Sequence, residues 1–338
     1  MKQIEEYKPM ETGGILLNAN ESYKNIEAFM IEEIQQKIAN VLFHRYPEDR
    51  SEQLIEAYSI YIGVEKEQIV AGNGSDEMLG LIIGLTIKEG KKLYTYELDF
   101  SMYDYYTSMH NGEVIKYPWK LDEPFDVDKF IEIGKKNNVD IIIISNPNNP
   151  TGRVVSQKDL CKIVEAFSQI LVVIDEAYAE FDDTTMIKYI DKYKNLLVTR
   201  TLSKAFALAS IRCGFLMGNK ETIEKIRPYK VPYNVNRLTQ ESAIVVLNYW
   251  KEIMKNVEEI KKERQYMYEQ YEKMKKTNIT LYPSKANYFY GVSKEKNKLL
   301  EMLGEKNIVI RTYDDDSFRI TIGSRGQNEM VLEVIKKL

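Results

Sequence analysis

One short run of the chain combines a lysine with side chains that can bind a phosphate group. Thr201 and Ser203 follow the apolar residues 196–198, Lys204 comes next, and Arg212 lies eight positions further on. Two hydroxyls and a guanidinium can converge on one phosphate, while the lysine supplies a primary amine beside it. An amine next to a phosphate site suits a Schiff base with a phosphorylated aldehyde. The run therefore predicts pyridoxal 5'-phosphate as the cofactor, with Lys204 as its covalent partner.

A second candidate group follows the apolar run 171–174. Asp175 would lie at the carboxyl end of a parallel strand, where α/β sheets bind ligands. Opposite a pyridine nitrogen, its carboxylate would keep that nitrogen protonated and make the ring an electron sink. Tyr178, three residues later, could hydrogen-bond the phenolic oxygen of the same ring. An aspartate at such a position, taken alone, could equally be the N-cap of a helix.

A loop with two prolines and a glycine, residues 146–152, follows another apolar run. These residue types favour a rigid loop that holds an amide in one orientation. The amide of Asn149 could donate to the phenolic oxygen and lower the proton affinity of the imine. The same composition also describes an ordinary turn.

Glycines that precede an apolar helix complete the predicted phosphate site. Gly74, Ser75 and Asp76 would place backbone N–H groups at a helix N-terminus, where the helix dipole favours an anion. A plain glycine turn explains these residues as well. Phe100 is expected to stack on the pyridine ring, with Tyr103 as the alternative, although either could belong to the core.

Two arginines near the end of the chain are candidates for binding the substrate. Arg319 interrupts an apolar strand, and a buried arginine needs an anionic partner such as a carboxylate or phosphate. Arg311 ends the preceding predicted strand and is expected to point into the same cleft. An internal salt bridge is the alternative for Arg319.

The composition excludes several other classes of protein. A chain of 338 residues with 44% hydrophobic residues can bury a large core, and its net charge of −4 disfavours a nucleic-acid partner. The sequence shows no signal peptide and no apolar run of membrane-spanning length, so no membrane association is expected. Two cysteines far apart suit a reducing cytoplasm. Only two histidines are present, which disfavours a zinc site or a serine-histidine triad.

Alternating apolar and amphipathic segments predict an α/β fold with a mostly parallel sheet. A large domain over 40–232 is expected, with 1–39 and 233–338 forming an N-terminal arm and a smaller α+β domain. The first forty residues are expected to pack on the C-terminal part. Strands are predicted at 92–96, 114–116, 140–145, 171–175, 196–199, 214–218, 287–292, 308–311 and 317–322. Helices are predicted at 76–87, 156–167, 221–227 and, as one long charged helix, 239–276.

The order and spacing of these motifs resemble fold-type I pyridoxal-phosphate aminotransferases, and specifically the histidinol-phosphate aminotransferase family. The resemblance spans most of the chain. It rests on residues 17–21, 45–47, 74–77, 148–152, 175–178, 200–206, 212–215, 232–236 and 319–323. Two stretches depart from the family pattern: Ser22-Tyr23-Lys24 follows Asn20-Glu21, and Leu98-Asp99-Phe100 replaces the common Pro-Thr-Tyr.

The resemblance implies an enzyme with a shared dimeric site. Lys204 would carry the Schiff base and shuttle the α-proton of the substrate. Tyr46 is similar to the tyrosine that reaches the cofactor phosphate of the neighbouring subunit, which implies a homodimer. Arg319 would bind the carboxylate of glutamate and the phosphate of histidinol phosphate, and Asn20 and Tyr23 would line the substrate pocket.

Three rival functions stay open at the level of sequence. Threonine-phosphate decarboxylases share this scaffold, and the choice between breaking the carboxylate bond and the Cα–H bond depends on pocket geometry. An aromatic amino acid aminotransferase is favoured if Tyr23 and its neighbours suit a ring. A binding protein without catalysis is disfavoured by the presence of Lys204, Asp175 and Arg212.

Overall fold

A computed structural model describes residues 13–274 and 277–338, in which short strands alternate with helices and form two sheets. The strands are β1 (Ile15–Leu17), β2 (Ile69–Gly72), β3 (Lys92–Tyr96), β4 (Glu113–Tyr117), β5 (Ile141–Ser145), β6 (Leu171–Asp175), β7 (Leu196–Thr201), β8 (Gly214–Gly218), β9 (Thr280–Leu281), β10 (Tyr288–Val292), β11 (Ile308–Thr312) and β12 (Ser317–Thr321). The α-helices are α1 (Ala28–Ala39), α2 (Glu52–Ile62), α3 (Ser75–Thr86), α4 (Met102–Met109), α5 (Val127–Lys136), α6 (Gln157–Ala166), α7 (Lys220–Ile226), α8 (Arg237–Asn248), α9 (Trp250–Glu272), α10 (Lys296–Gly304) and α11 (Arg325–Ile335).

The larger sheet is mixed and mostly parallel, as the sequence predicts. Its strand order is β2-β8-β7-β6-β5-β3-β4, and the five strands from β7 to β4 run parallel to one another. Only β8 is antiparallel to its two neighbours. The carboxyl ends of the parallel strands therefore open on one edge of the sheet, where a ligand site is expected.

Helices cover both faces of this sheet, which explains why the central strands β5, β6 and β7 begin as apolar runs, at 141–144, 171–174 and 196–198. Along β5, Ile142 and Ile144 belong to one hydrophobic cluster, whereas Ile141 and Ile143 belong to a second cluster with α3. Alternate residues of a strand point to opposite faces, so a sheet that is buried on both sides needs apolar residues at every position.

The smaller sheet joins the beginning and the end of the described chain. Its order is β1-β11-β12-β10-β9, and β1 is parallel to β11, with Leu17 opposite Ile310. The expected packing of the N-terminal arm on the C-terminal part is seen for residues 13–39, while residues 1–12 lie outside the described residues. The domain division at residues 40 and 233 stays a prediction.

Several elements differ from the sequence prediction, which named no strand at β1, β2 or β9 and no helix at α1, α2, α4, α5, α10 or α11. Strand β2 was not predicted, because its four residues are too few to show a pattern before the glycine turn that follows. The long helix predicted at 239–276 is two helices, α8 and α9, separated at Tyr249 with φ of −108°, and residues 275 and 276 of the prediction lie outside the described residues. Both halves carry apolar residues at helical spacing, so the pattern alone does not reveal the break.

Across the described ranges, no helix combines the length and the apolar character that crossing a membrane requires.

Candidate active site

A cleft of about 680 Å³ opens between the carboxyl ends of the parallel strands and the smaller sheet. It gathers most of the residues predicted from the sequence, although they are spread over 245 positions from Ser75 to Arg319. The predicted residues that line it are Ser75, Asp76, Phe100, Asn149, Asp175, Tyr178, Thr201, Ser203, Lys204, Arg212, Arg311 and Arg319. Gly74, Asn20, Tyr23 and Tyr46 were also predicted, and they lie outside its walls.

Three polar residues stand side by side where adjacent strands end. The register places Ser145 of β5 opposite Asp175 of β6, and Asp175 opposite Thr199 of β7. The Asp175 carboxylate accepts hydrogen bonds from the hydroxyls of Tyr103, at 2.8 Å, and Thr199, at 2.9 Å. Burial raises the pKa of Asp175 to about 6, and these hydrogen bonds limit the rise. The carboxylate is therefore held rigidly and is ready to accept a cationic partner.

Lys204 follows β7 and directs its amine into the cleft. The Nζ atom donates to the backbone oxygen of Ala19 at 2.8 Å. Desolvation and, as a smaller cause, the nearby positive charge of Arg319 lower the pKa of Lys204 to about 8. A lysine with such a pKa is partly neutral near pH 8, so its nitrogen can act as a nucleophile or a base.

A cup for an anion forms where α3 begins beside the end of β7. The guanidinium of Arg212 donates to Asp76 at 2.8 Å and to the Ser203 hydroxyl at 3.4 Å. The hydroxyl of Thr201 donates to Ser203 at 3.0 Å. The N-cap of α3 is Gly74, which has no side chain to cap the helix. The backbone N–H groups in the first turn of α3 are therefore available to a ligand.

Two glycines allow this cup to close. Gly74 has φ of +79°, and a Cβ atom there would lie 2.8 Å from the guanidinium of Arg212. A Cβ atom on Gly214 would lie 2.2 Å from the backbone nitrogen of Ser75. Only glycine permits β8 and the start of α3 to approach so closely.

Hydrogen bonds orient the two side chains predicted to reach a phenolic oxygen. Arg319 donates to Oδ1 of Asn149 at 2.5 Å, which leaves Nδ2 of Asn149 as the donor toward the cleft. Nδ2 of Asn20 donates to the Tyr178 hydroxyl at 2.9 Å. Asn20 is itself buried and bonded to Thr321, so it supports Tyr178 from behind. The role of Asn20 in the substrate pocket stays a prediction.

Two arginines lie side by side on adjacent strands of the smaller sheet. Arg311 of β11 is the register partner of Arg319 of β12, so both side chains lie on one face. Within the described residues neither arginine forms an ion pair, whereas Arg200 and Arg212 both do. Arg319 is only 7% exposed, and its buried Nε has no hydrogen-bond partner. Opposed like charges are unfavourable by themselves, so this pair calls for an anionic ligand.

Other predicted residues lie further from the cleft. Tyr46 is 82% exposed and stacks on Tyr233 with ring centroids 4.8 Å apart, so it does not reach the cleft of its own chain. Tyr23 is half-buried against the core near the acidic side chains of α9, outside the cleft wall. Between the two aromatic candidates, Tyr103 is fully buried and bonded to Asp175, which leaves Phe100 as the ring exposed to the cleft.

Three residues support the site in roles that the sequence did not predict, although Tyr103 was named as a candidate for ring stacking. Tyr103 and Thr199 hold Asp175, and Asp99 bonds the loop at the end of β5. The signal for Thr199 was a hydroxyl at the end of a predicted strand next to Asp175. Asp99 was visible only as a departure from a family pattern, because its partner lies 46 positions away.

The chain is similar in sequence to known aminotransferases. The family model described as aminotransferase class I and II matches residues 12–338. A histidinol-phosphate aminotransferase of Clostridium kluyveri is 40% identical over 330 residues, which cover 96% of this chain and 93% of that protein. The chain belongs to the class I and II aminotransferases. The predictions of the family and of an aminotransferase are thereby confirmed.

Solved structures of other aminotransferases have the same fold as this one. The histidinol-phosphate aminotransferase of Clostridium acetobutylicum aligns with a TM-score of 0.85 at 26% identity, covering 96% of this chain and 98% of that one. The enzyme from Sinorhizobium meliloti, solved in complex with pyridoxal-5'-phosphate, aligns with a TM-score of 0.85 at 21% identity, covering 96% and 91%. The predicted fold class, a fold-type I transferase with a mostly parallel mixed sheet, is confirmed.

Proposed function

We propose that this aminotransferase uses pyridoxal 5'-phosphate to exchange an amino group between histidinol phosphate and 2-oxoglutarate. The observation that carries the proposal is the cleft itself, which is lined by a lysine of lowered pKa, a buried carboxylate and two arginines that form no ion pair with any described residue. The substrate follows the names of relatives such as the Clostridium kluyveri protein, which is similar over nearly the whole chain.

The residues present fit the proposed cofactor at each of its polar atoms. The cup of Thr201, Ser203 and Arg212 beside the start of α3 suits its phosphate. Asp175 suits a protonated pyridine nitrogen, since a neighbouring positive charge would favour the ionised form of this buried carboxyl. The half-buried ring of Phe100 lines the same cleft and suits stacking on a flat ring.

The protein's own residues then divide the work of transamination. When bound, the cofactor supplies an electron sink that stabilises negative charge at the substrate α-carbon. Lys204 would hold the cofactor, and its Nζ, once free, is placed to accept the α-proton of the substrate as a base and to donate it again as an acid. Asp175 would keep the ring nitrogen protonated, while Asn149 and Tyr178 would hold the phenolic oxygen.

The opposed arginines support a substrate that carries a strong anion. The planar fork of Arg319 suits the phosphate of histidinol phosphate in one half-reaction and a carboxylate of 2-oxoglutarate in the other. Arg311 supplies a second positive charge on the same face. An amino donor without an anionic group would leave both charges uncompensated, which disfavours a purely aromatic substrate.

A homodimer is part of the proposal. Tyr46 is too exposed to serve its own cleft, and other large apolar side chains near it in the chain, Leu42 and Phe43, are exposed as well. A second copy that covers this surface would bring Tyr46 to the partner's cofactor phosphate. Light scattering of the purified protein tests the dimer, and a Tyr46→Phe variant with weakened cofactor binding supports the role of the hydroxyl. A cytoplasmic location stays a prediction.

The decisive experiment follows the visible spectrum of the purified protein with pyridoxal 5'-phosphate while candidate donors are added. Conversion of the cofactor to its amino form by histidinol phosphate, reversed by 2-oxoglutarate, is the expected result. Carbon dioxide release from a phosphorylated amino acid would identify a lyase, and preferred reaction with phenylalanine would identify an aromatic aminotransferase.

Two variants locate the chemistry. Lys204→Ala should retain the cofactor without a covalent link and lose turnover, because no nitrogen remains to move the α-proton. Lys158→Ala, an exposed lysine at the start of α6, is the matched control and should keep full activity. Turnover in Lys204→Ala equal to that of the control would refute the assignment.

A further inference from the structure

Asp99 links the two loops that carry the proposed partners of the cofactor ring. One loop follows β3 and contains Phe100, and the other follows β5 and contains Asn149. Asp99 lies at the base of the first loop and lines the cleft. Its partners and charge show what it contributes to the site.

The Asp99 carboxylate accepts four hydrogen bonds. Oδ2 accepts from the Thr95 hydroxyl at 2.9 Å and from the backbone nitrogen of Ser145 at 3.3 Å. Oδ1 accepts from the backbone nitrogen of Phe100 at 2.8 Å and from the Ser145 hydroxyl. All four partners are donors, so the site requires an acceptor at both oxygen positions.

Ser145 passes this constraint on to the second loop. Its hydroxyl oxygen accepts from the backbone nitrogen of Asn149 at 3.0 Å and from Nδ2 of Asn148 at 3.2 Å. Because the Ser145 proton is given to Asp99, its lone pairs stay available to these two donors. The carboxylate therefore determines which way the serine donates and where the Asn149 backbone lies.

Among the residues that the structure describes, Asp99 forms no ion pair. Burial raises the pKa of Asp99 to about 7, and the opposing influences are hydrogen bonds. Tyr96, Tyr103 and Tyr288 are the titratable groups that sense its charge, and burial raises the pKa of each well above its ordinary value. Neutral donors hold this half-buried carboxylate, and no ion pair among the described residues offsets its desolvation. Its contribution is therefore to hold its hydrogen-bond partners in position.

We propose that Asp99 is a positioning residue that, through Ser145, fixes Asn149 against the phenolic oxygen of the cofactor and, through its bond to Phe100, fixes the stacking ring. This inference rests on the proposed function. It assigns to the departure from Pro-Thr-Tyr a link between two loops that reach the ring from different strands.

The proposal makes a directional prediction about the linkage at Lys204. Donation from Asn149 stabilises negative charge on the phenolic oxygen and lowers the proton affinity of the linkage. Loss of one such hydrogen bond should raise the pH midpoint of the cofactor's visible absorbance change by about 1 unit. Loss of the negative charge of Asp99, acting through space, should shift that midpoint downward. The two effects have opposite signs.

The test compares Asp99→Asn and Ser145→Ala with wild type by titrating the visible absorbance of the holoenzyme. Ser145→Ala removes the same link while it keeps the carboxylate, so it also decides the matter if Asp99→Asn does not fold. Both variants should raise the midpoint, and neither should raise it further when combined with Asn149→Ala. Asp128→Asn removes an exposed charge at the start of α5 and should leave the midpoint unchanged.

Three results would overturn the proposal. These are an unchanged midpoint in Ser145→Ala, a lowered midpoint in Asp99→Asn, and shifts that persist in the Asn149→Ala background. Amide hydrogen exchange of the cofactor-free protein supplies a second readout, because Asp99→Asn should speed exchange at the Asn149 nitrogen. If wild type shows no cofactor band, the proposed function fails. Amide hydrogen exchange at Asn149 that is as slow in Asp99→Asn as in wild type would be independent evidence against a link between Asp99 and Asn149.

Discussion

A buried cluster beside the site offers the sharpest test of the structural reasoning. Arg200 of β7 contacts Glu176 at 2.7 Å and Glu180 at 2.8 Å, and the three side chains are 7%, 1% and 4% exposed. Arg200 also donates to the Thr185 hydroxyl at 3.0 Å. Because Glu176 directly follows Asp175, and Thr201 directly follows Arg200, this cluster joins the strands that carry the predicted cofactor contacts.

Replacing Arg200 with methionine should lower the free energy of unfolding by about 3–5 kcal/mol. The substitution keeps an unbranched chain of similar reach but leaves two buried carboxylates without a cation, which is the costly way to break a buried pair. Such a loss is a large fraction of the stability of a typical protein. By contrast, Arg237→Met breaks the more exposed pair with Glu241 on α8 and should cost less than about 1 kcal/mol.

The loss should also depend on pH with a definite sign. Burial already raises the pKa of Glu176, and removal of the cation raises it further. An acid whose pKa is higher in the folded state than in the unfolded state destabilises the fold increasingly as the pH rises. The Arg200→Met penalty should therefore be largest near pH 8 and smaller near pH 5, where Glu176 can protonate.

Urea unfolding of the cofactor-free protein, followed by circular dichroism, measures these differences. Adding Glu176→Gln and Glu180→Gln to Arg200→Met should recover most of the loss, since this cluster then holds no buried charge. A penalty below about 1 kcal/mol for Arg200→Met, or a triple variant no more stable than the single one, would refute the reasoning.

Three further predictions concern the site. Gly214→Ala should raise the dissociation constant of pyridoxal 5'-phosphate more than tenfold by equilibrium dialysis, because its Cβ would lie 2.2 Å from the Ser75 nitrogen; Gly304→Ala, which meets no atom within 4 Å, should not. Asp175→Asn should lower kcat by about 10²–10³ without loss of folding, as expected when one charged stabilising group is removed; a variant with bound cofactor and near-normal kcat would contradict this. The pKa of Lys204 is lowered to about 8, and only the neutral amine attacks an aldehyde. The rate of cofactor binding by the cofactor-free protein in stopped-flow absorbance should therefore rise through pH 8 and level off, and a rate that climbs steadily to pH 10 would contradict it.

Much of the fold could be read from local patterns. The predicted strands at 92–96, 171–175 and 214–218 agree with β3, β6 and β8, because strands buried on both faces are short, unbroken apolar runs. The four residues of β2 and the joint at Tyr249 were beyond such reading. A strand of that length and a break between two amphipathic helices leave no periodic signal.

The residue types along the chain already indicate which chemistry is available to it. The lysine, the aspartate at a strand end, the glycines before a helix and the two arginines each state a local requirement that holds wherever the chain places them. Such requirements are short in range, since a strand end or a helix start is specified by the residues next to it.

The contacts between these groups are visible in the tertiary structure alone. It paired Arg311 with Arg319 across two strands, placed Asn20 behind Tyr178, and tied Asp99 to Ser145. Each of these contacts depends on the register and crossing of elements that are distant in the chain. Register follows from how whole faces pack against the core, so no single segment of sequence contains it.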